Sequence, residues 1–212
     1  MIDHYGVSDT RVFREVAKVG VALEKLQEVN GSQNPAEAAV IYDVENRWAV
    51  EDAAGPRNAG VFYKETVEKP YQAFRKLGIN VDLIDETRSL DGYRVVAAPM
   101  VYLLREGWTE KVRNFVKNGG IFLLTYWSGI VDETDLCYLG GTPHDLMDVM
   151  GFRSMEIDGL YDGEWNEGIP EPENPLHLER AYRCSHLCEL VQPSTAEVLM
   201  TYGKDFYDAC RR

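Results

Sequence analysis

The N-terminal segment carries apolar side chains at intervals of three and four residues. Between Asp9 and Asn30 these positions are Val12, Val16, Val19, Leu23 and Leu26. Because this spacing puts them on one side of a helix, the pattern predicts an amphipathic helix from Asp9 to Asn30. Ser8 or Asp9 can cap its start, and Asn30-Gly31 supplies the stop. A short polar linker at 32–35 is the first candidate boundary.

Beyond this linker the pattern changes to short apolar runs that alternate with helical ones. It predicts strands at 38–43, 80–84, 93–99 and 121–126, and helices at 61–77, 109–116 and 144–150. Short, continuous apolar strands are typical of a sheet that is covered on both faces. The order of elements predicts an α/β fold, namely a flavodoxin-like three-layer domain with a mostly parallel sheet, over residues 35–157.

The last segment, residues 158–212, has a different character. Residues 158–175 are rich in Gly, Pro, Asp and Glu, which predicts an irregular excursion. Residues 182–191 and 196–202 have strand-like patterns. They either pair at the edge of the main sheet, as part of the same domain, or begin another small β unit.

Composition narrows the possible functions. The net charge of −13 and the lack of a basic stripe argue against nucleic-acid binding. No apolar run is long enough for a membrane helix and no secretory signal is visible, so we expect a cytoplasmic protein without a membrane partner. Cys184, His186 and Cys188 alternate and would share one face of a strand. A closed zinc site needs a fourth ligand, and none lies nearby at a suitable spacing, so we predict reduced thiols and no metal.

An open α/β sheet binds ligands beyond the carboxyl ends of its strands, which here are the loops 43–52, 99–105 and 126–135. Neither of the glycine-rich phosphate-binding motifs occurs in the chain. Ser128 does not stand between close glycines, and the four histidines are scattered, so a nucleophilic hydrolase is not indicated. We expect no cofactor.

Acidic residues are numerous in these loops. Glu45 with Glu51 or Asp52, and Asp132 with Glu133 or Asp135, offer pairs of the kind used in glycoside hydrolysis. Acids that cap helices or face solvent explain the same residues more simply.

Large aromatic side chains also gather at the predicted rim. Trp48, Tyr102 and Trp127, with Trp108 nearby, are interleaved with Arg47 and Arg105. Such a mixture is typical of protein–protein interfaces and of sugar-stacking platforms, although rings can also simply cover the ends of a sheet. We take Trp48, Tyr102 and Trp127 as candidate interface residues.

Several segments resemble one known family, and they occur in its order along nearly the whole chain. The motifs are residues 9–16, 41–49, 91–93, 95–100, 118–120, 125–133, 139–143, 196–199 and 205–207. In 41–49, which reads Ile-Tyr-Asp-Val-Glu-Asn-Arg-Trp-Ala, Arg47 stands where the family has the first of two tryptophans. The series resembles the β-galactosidases of glycoside hydrolase family 42.

The resemblance implies a module of a larger enzyme. Residues 1–34 would be a remnant of the last helix of a (β/α)₈ barrel, and residues 35–157 the family's flavodoxin-like trimerisation domain. The two catalytic glutamates of the retaining reaction would belong to the missing barrel, which would also bind the galactoside, and no position here matches them. The expected partners are two further copies of the chain. The alternative is a free-standing flavodoxin-like or amidotransferase-like domain that binds a sugar or other small ligand at the carboxyl edge of its sheet.

Overall fold

A computed structural model describes His4, residues 6–53, Gly55 and residues 61–203. The family motif at 205–207 and Cys210 therefore lie outside the described residues. The chain divides into two compact units, residues 1–35 and residues 36–212.

The first unit is built around a single α-helix. Helix α1 spans Arg11–Glu24 and is followed by a 3₁₀ turn at Gln27–Val29, so the regular helix is shorter than predicted. Its cap is Thr10, not Ser8 or Asp9: the Thr10 hydroxyl accepts a hydrogen bond from the Phe13 amide at 3.2 Å.

A four-stranded parallel sheet forms the centre of the second unit. Its strands are β1 (Ala38–Ile41), β2 (Val81–Ile84), β3 (Val95–Ala98) and β5 (Ile121–Leu124), in the order β2-β1-β3-β5. Val40 pairs with Leu83 on one side and with Ala97 on the other. All four strands start or end within a few residues of the predicted positions.

Helices pack on both faces of this sheet over its central strands, while Leu83 and Leu123 on the edge strands stay exposed. Helix α3 (Tyr63–Lys76) packs Tyr63 and Val67 against the face that contains Val40 and Ala97. Helix α4 (Trp108–Lys117) packs its apolar side against the opposite face, where Trp108, Val112 and Phe115 are buried. Alternate strand residues thus enter two separate apolar clusters, which confirms the three-layer α/β prediction.

One helix differs from the prediction. Helix α2 spans Val44–Asp52, a segment that the sequence pattern indicates as a loop. Only Asn46, Ala49 and Val50 are buried on it, because one side of this short helix rests on the domain and the other faces solvent. Its sequence therefore lacks a long apolar stripe that would have revealed it.

The segments that follow β3 and β5 contain short elements. Strands β4 (Leu103–Leu104) and β6 (Val131–Asp132) form a small parallel pair. Helix α5 spans only Met147–Met150, whereas a helix from His144 was expected. Asp145 has a φ of 59°, so regular helical geometry cannot begin before it.

The C-terminal part is richer in strands than the sequence indicated. Strand β7 (Phe152–Gly159) pairs antiparallel with β10 (Leu187–Pro193). Strand β8 (Asn166–Pro170) lies between β9 (Tyr182–Cys184) and β11 (Met200–Tyr202). The predicted irregular excursion thus holds a strand, and β7 runs through the proposed boundary at 157. These strands form sheets of their own and do not extend the parallel sheet.

Candidate functional site

The carboxyl ends of β1, β2 and β3 meet at one rim of the parallel sheet, together with α2 and the segment around Arg105. Asp43 follows β1, Glu86 follows β2, and the residues from Met100 to Arg105 follow β3. The sequence pattern predicts ligands or partners at this rim. The structure shows buried charged groups there, with an exposed tryptophan beside them.

Asp43 is the central acid of the rim and is fully buried. Its carboxylate caps α2 by accepting hydrogen bonds from the amides of Glu45 (2.9 Å) and Asn46 (3.2 Å). Arg105 donates to both of its oxygens, from Nε at 2.8 Å and from Nη2 at 2.9 Å. Burial alone would raise the pKa of Asp43, but the Arg105 guanidinium and the two amides outweigh burial and hold the pKa below its usual value.

Asn46 fastens α2 to the loop after β3. Its side-chain amide donates to the carbonyl of Met100 at 2.9 Å, and its Oδ1 accepts from the amide of Leu103 at 2.9 Å. Both bonds are buried, so this side chain fixes the position of α2 relative to the rim.

Glu86 is a second acid at the rim, and no pattern in the sequence indicates its burial. Only 1% of it is exposed. Oε2 accepts from the backbone amide of Arg105 at 3.0 Å, whereas Oε1 has no hydrogen-bond partner among the described residues. Burial raises the pKa of Glu86 to about 8, because an ionised carboxylate would lose its hydration there.

The candidate interface residues occupy two different environments. Trp48 is 61% exposed on α2, but Tyr102 and Trp127 are 7% and 3% exposed. The latter two rings stack on each other with centroids 5.8 Å apart. The three rings therefore do not form one exposed patch, because Tyr102 and Trp127 complete the apolar cluster on which Ala49 and Val50 of α2 also pack. Trp108 is buried on α4.

Trp127 has an unusual backbone conformation, with a φ of 59°. Its amide donates to Oε1 of Glu189, on β10, at 2.7 Å. Burial raises the pKa of Glu189, while the Trp127 amide opposes that rise. Glu189 is another group that sequence reasoning missed, because the contact joins residues that are far apart in the chain.

Three further rim acids are engaged in local contacts. Glu45 forms an ion pair with Arg105 at 2.7 Å, and Glu51 pairs with Arg47 at 2.7 Å. Oδ1 of Asp132 closes a turn by accepting from the amides of Thr134 (2.8 Å) and Leu136 (3.1 Å). These contacts agree with the simpler interpretation, in which the acids cap and pair.

A cavity of about 250 Å³ lies between α3 and the start of β10, and Trp48 does not line it. Its lining includes Phe62, Lys69 and His186. His186 has a φ of 75° and separates β9 from β10, so the expected single strand with Cys184, His186 and Cys188 on one face is wrong. Within the described part of the chain, no three metal-binding side chains come together, and no helix there is long and apolar enough to cross a membrane.

Comparison with known proteins gives a consistent result. Residues 36–210 match the family described as the β-galactosidase trimerisation domain. Over 208 residues the chain is 49% identical to the β-galactosidase BglY of Alicyclobacillus acidocaldarius, and over 207 residues it is 47% identical to the β-galactosidase Pbg of Clostridium perfringens. Each alignment covers 98% of this chain and 30% of the relative.

Solved structures agree with these sequence matches. The fold is similar to part of a β-galactosidase from Rahnella sp. R3, with a TM-score of 0.82 and 49% identity. It is also similar to part of the enzyme from Bacillus circulans sp. alkalophilus, with a TM-score of 0.80 and 42% identity. Both likenesses cover 97% of this chain and 30% of the other chain. The chain thus spans about a third of the length of the proteins it matches.

Proposed function

Because this chain belongs to the β-galactosidase trimerisation domain family, we propose that it joins three copies of a larger β-galactosidase. The observation that carries the proposal is the family match over residues 36–210, which takes in nearly all of the second unit. The whole enzyme would hydrolyse terminal β-galactosides, with two barrel carboxylates acting as acid/base and as nucleophile. The free cysteines of this chain, which include Cys137 and Cys184, fit a cytoplasmic enzyme.

The contact between copies would centre on Trp48. A large exposed ring on a short helix is the kind of side chain that anchors protein interfaces. Tyr102 and Trp127 would support this contact from the core by fixing the position of α2, because they pack in the same cluster as Ala49 and Val50 of that helix. In a threefold ring each contact joins two different surfaces, so the Trp48 surface would meet another part of the neighbouring copy.

The chain itself would not hydrolyse galactosides. Asp43 and Glu45 are held by Arg105, and Asp132 closes a turn, so these acids have structural partners. A chromogenic galactoside incubated with the purified chain should show no turnover above the buffer. Turnover that disappears in a Glu45→Gln or Glu133→Gln variant would contradict this assignment.

The proposal is tested by sedimentation equilibrium of the chain over a wide concentration range. We expect a reversible approach to three times the monomer mass at the highest concentrations. A monomer at every concentration would overturn assembly by this chain alone. Calorimetry against galactose and lactose addresses the alternative of a free-standing sugar-binding domain: a saturable heat would favour that alternative, and none is expected.

A further inference from the structure

The Glu86 carboxyl is enclosed at the rim, and its two oxygens have different surroundings. Oε2 accepts from the Arg105 amide at 3.0 Å, and Oε1 is buried without a hydrogen-bond partner among the described residues. The side chain of Arg105 is directed to other acids, donating to Asp43 at 2.8 Å and contacting Glu45 at 2.7 Å. The backbone amide of Arg105 therefore bonds to Glu86, while its guanidinium binds the two acids at the N-terminus of α2.

The charged groups around Glu86 come from each neighbouring element. Asp43 at the start of α2 adds negative charge, and Arg105 adds positive charge. Lys111 of α4 donates to the backbone carbonyls of Glu86 (2.9 Å) and Thr87 (2.9 Å), so its ammonium is already engaged. The phenols of Tyr63 on α3 and Tyr138 after β6 also interact electrostatically with Glu86. Burial dominates this environment and raises the pKa of Glu86 to about 8, so the carboxyl is protonated at neutral pH.

Ionisation of Glu86 would place a second buried carboxylate close to Asp43. Arg105 would then lie near two buried carboxylates, and leaving either of them unpaired would cost free energy. The Arg105 contact with Glu45 is the one most easily released, since the Glu45 side chain is 51% exposed and water can replace the guanidinium. Asp43 has no exposed surface and would keep its bonds to Arg105.

We propose that Glu86 is a proton-controlled latch on the first turn of α2. With Glu86 protonated, Arg105 bridges Asp43 and Glu45 and holds that turn against the rim. When Glu86 loses its proton, Arg105 turns toward it, Glu45 is released and the first turn of α2 loosens. Trp48 lies three residues after Glu45, so assembly through Trp48 would weaken at alkaline pH; only this consequence rests on the proposed function.

The latch is tested on the chain by hydrogen–deuterium exchange at pH 6.5 and pH 9, with rates corrected for the intrinsic effect of pH. If loosening lowers the pKa of Glu86 by about one unit, amide protection in α2 should fall by up to about tenfold at the higher pH. In Glu86→Gln the protection should be the same at both values. Glu51→Gln, which breaks an exposed pair on the same helix, is the matched control and should keep the dependence on pH.

A second measurement applies to the unaltered protein and does not depend on how the variant folds. The side-chain carboxyl ¹³C resonance of Glu86 should titrate near pH 8, and the amide resonance of Glu45 should follow the same curve. Titration of Glu86 below pH 6, or α2 protection that is unaffected by pH, would overturn the latch. Sedimentation at the two pH values is read separately: loss of α2 protection without a change in mass would refute only the link to assembly.

Discussion

Buried polar side chains at the rim hold backbone segments in place. Asn46 illustrates this, because one amide group satisfies the carbonyl of Met100 and the amide of Leu103. Neither backbone group belongs to a long strand, so the side chain replaces bonds that a regular sheet would supply. The loop after β3 and the helix α2 consequently share one anchor.

Replacing Asn46 by alanine should therefore be costly. Asn46→Ala leaves a buried carbonyl and a buried amide without partners, and we expect it to lower the free energy of unfolding by about 2–4 kcal/mol. Urea denaturation followed by circular dichroism measures the change. Asn114→Ala is the control, because Asn114 makes one exposed 3.3 Å contact with Glu110; an equal loss in both variants would contradict the anchoring role.

Glu86 should make stability depend on pH. Its pKa is about 8 in the folded chain against 4.5 as the ordinary value, so the folded state retains a proton that the unfolded state releases. The contribution of Glu86 to the free energy of unfolding is fully present below pH 4.5 and is lost as the pH rises to 8.

Glu86→Gln removes this dependence on pH. Relative to the unaltered chain, the variant should gain a few kcal/mol between pH 5 and pH 8, since one unit of pKa corresponds to about 1.4 kcal/mol. Thermal unfolding at several pH values provides the test. A stability difference that stays constant from pH 5 to pH 8 would show that Glu86 is ionised throughout.

Among the connecting elements, the loop from β5 to β6 is closely packed against the segment before α5. Gly129 has a φ of 65°, and a Cβ on it would lie 2.8 Å from the amide nitrogen of His144 and 2.9 Å from Cα of Pro143. The Gly129 amide also donates to the carbonyl of Val101 at 2.7 Å. Two neighbouring backbones thus fix this loop, and glycine is required for their close approach.

Gly129→Ala should separate these segments and destabilise the domain by about 3 kcal/mol, combining unfavourable φ with overpacking. Gly107→Ala tests the cost of the unfavourable φ alone, because Gly107 has a φ of 75° and a Cβ on it would meet nothing within 4 Å. We expect this control to cost only about 1 kcal/mol. Similar midpoints in guanidinium for the two variants would show that the close approach contributes little.

At the scale of the whole molecule, the exposed ring of Trp48 is the feature that a trimer would use. Trp48→Ala should weaken each contact by about 2 kcal/mol, which corresponds to roughly a thirtyfold increase in the dissociation constant. Analytical ultracentrifugation measures this change. Tyr161→Ala removes another ring that is 80% exposed but lies outside α2, and its dissociation should be unchanged. An unaltered dissociation constant in Trp48→Ala would show that Trp48 covers the rim and does not anchor the contact between copies.

The pattern of apolar residues in the sequence is sufficient to predict much of the fold of this protein. Continuous apolar runs such as Ala38–Ile41 and Val95–Ala98 identify strands that are covered on both faces, and the run of family motifs identifies the module. Local periodicity is sufficient there, because residues close in sequence decide whether a segment can be buried. The same information placed Asp43, Trp48 and Tyr102 near one rim.

The tertiary structure alone decided which of those residues are buried and what they contact. Tyr102 stacks on Trp127 inside, Trp48 stays exposed, and α2 forms because Asp43 caps it and Asn46 is bonded to Met100 and Leu103. The high pKa of Glu86 also has no signature in its neighbouring residues. Desolvation and hydrogen bonding depend on groups that the fold brings together from distant parts of the chain, and spacing along the sequence does not record them.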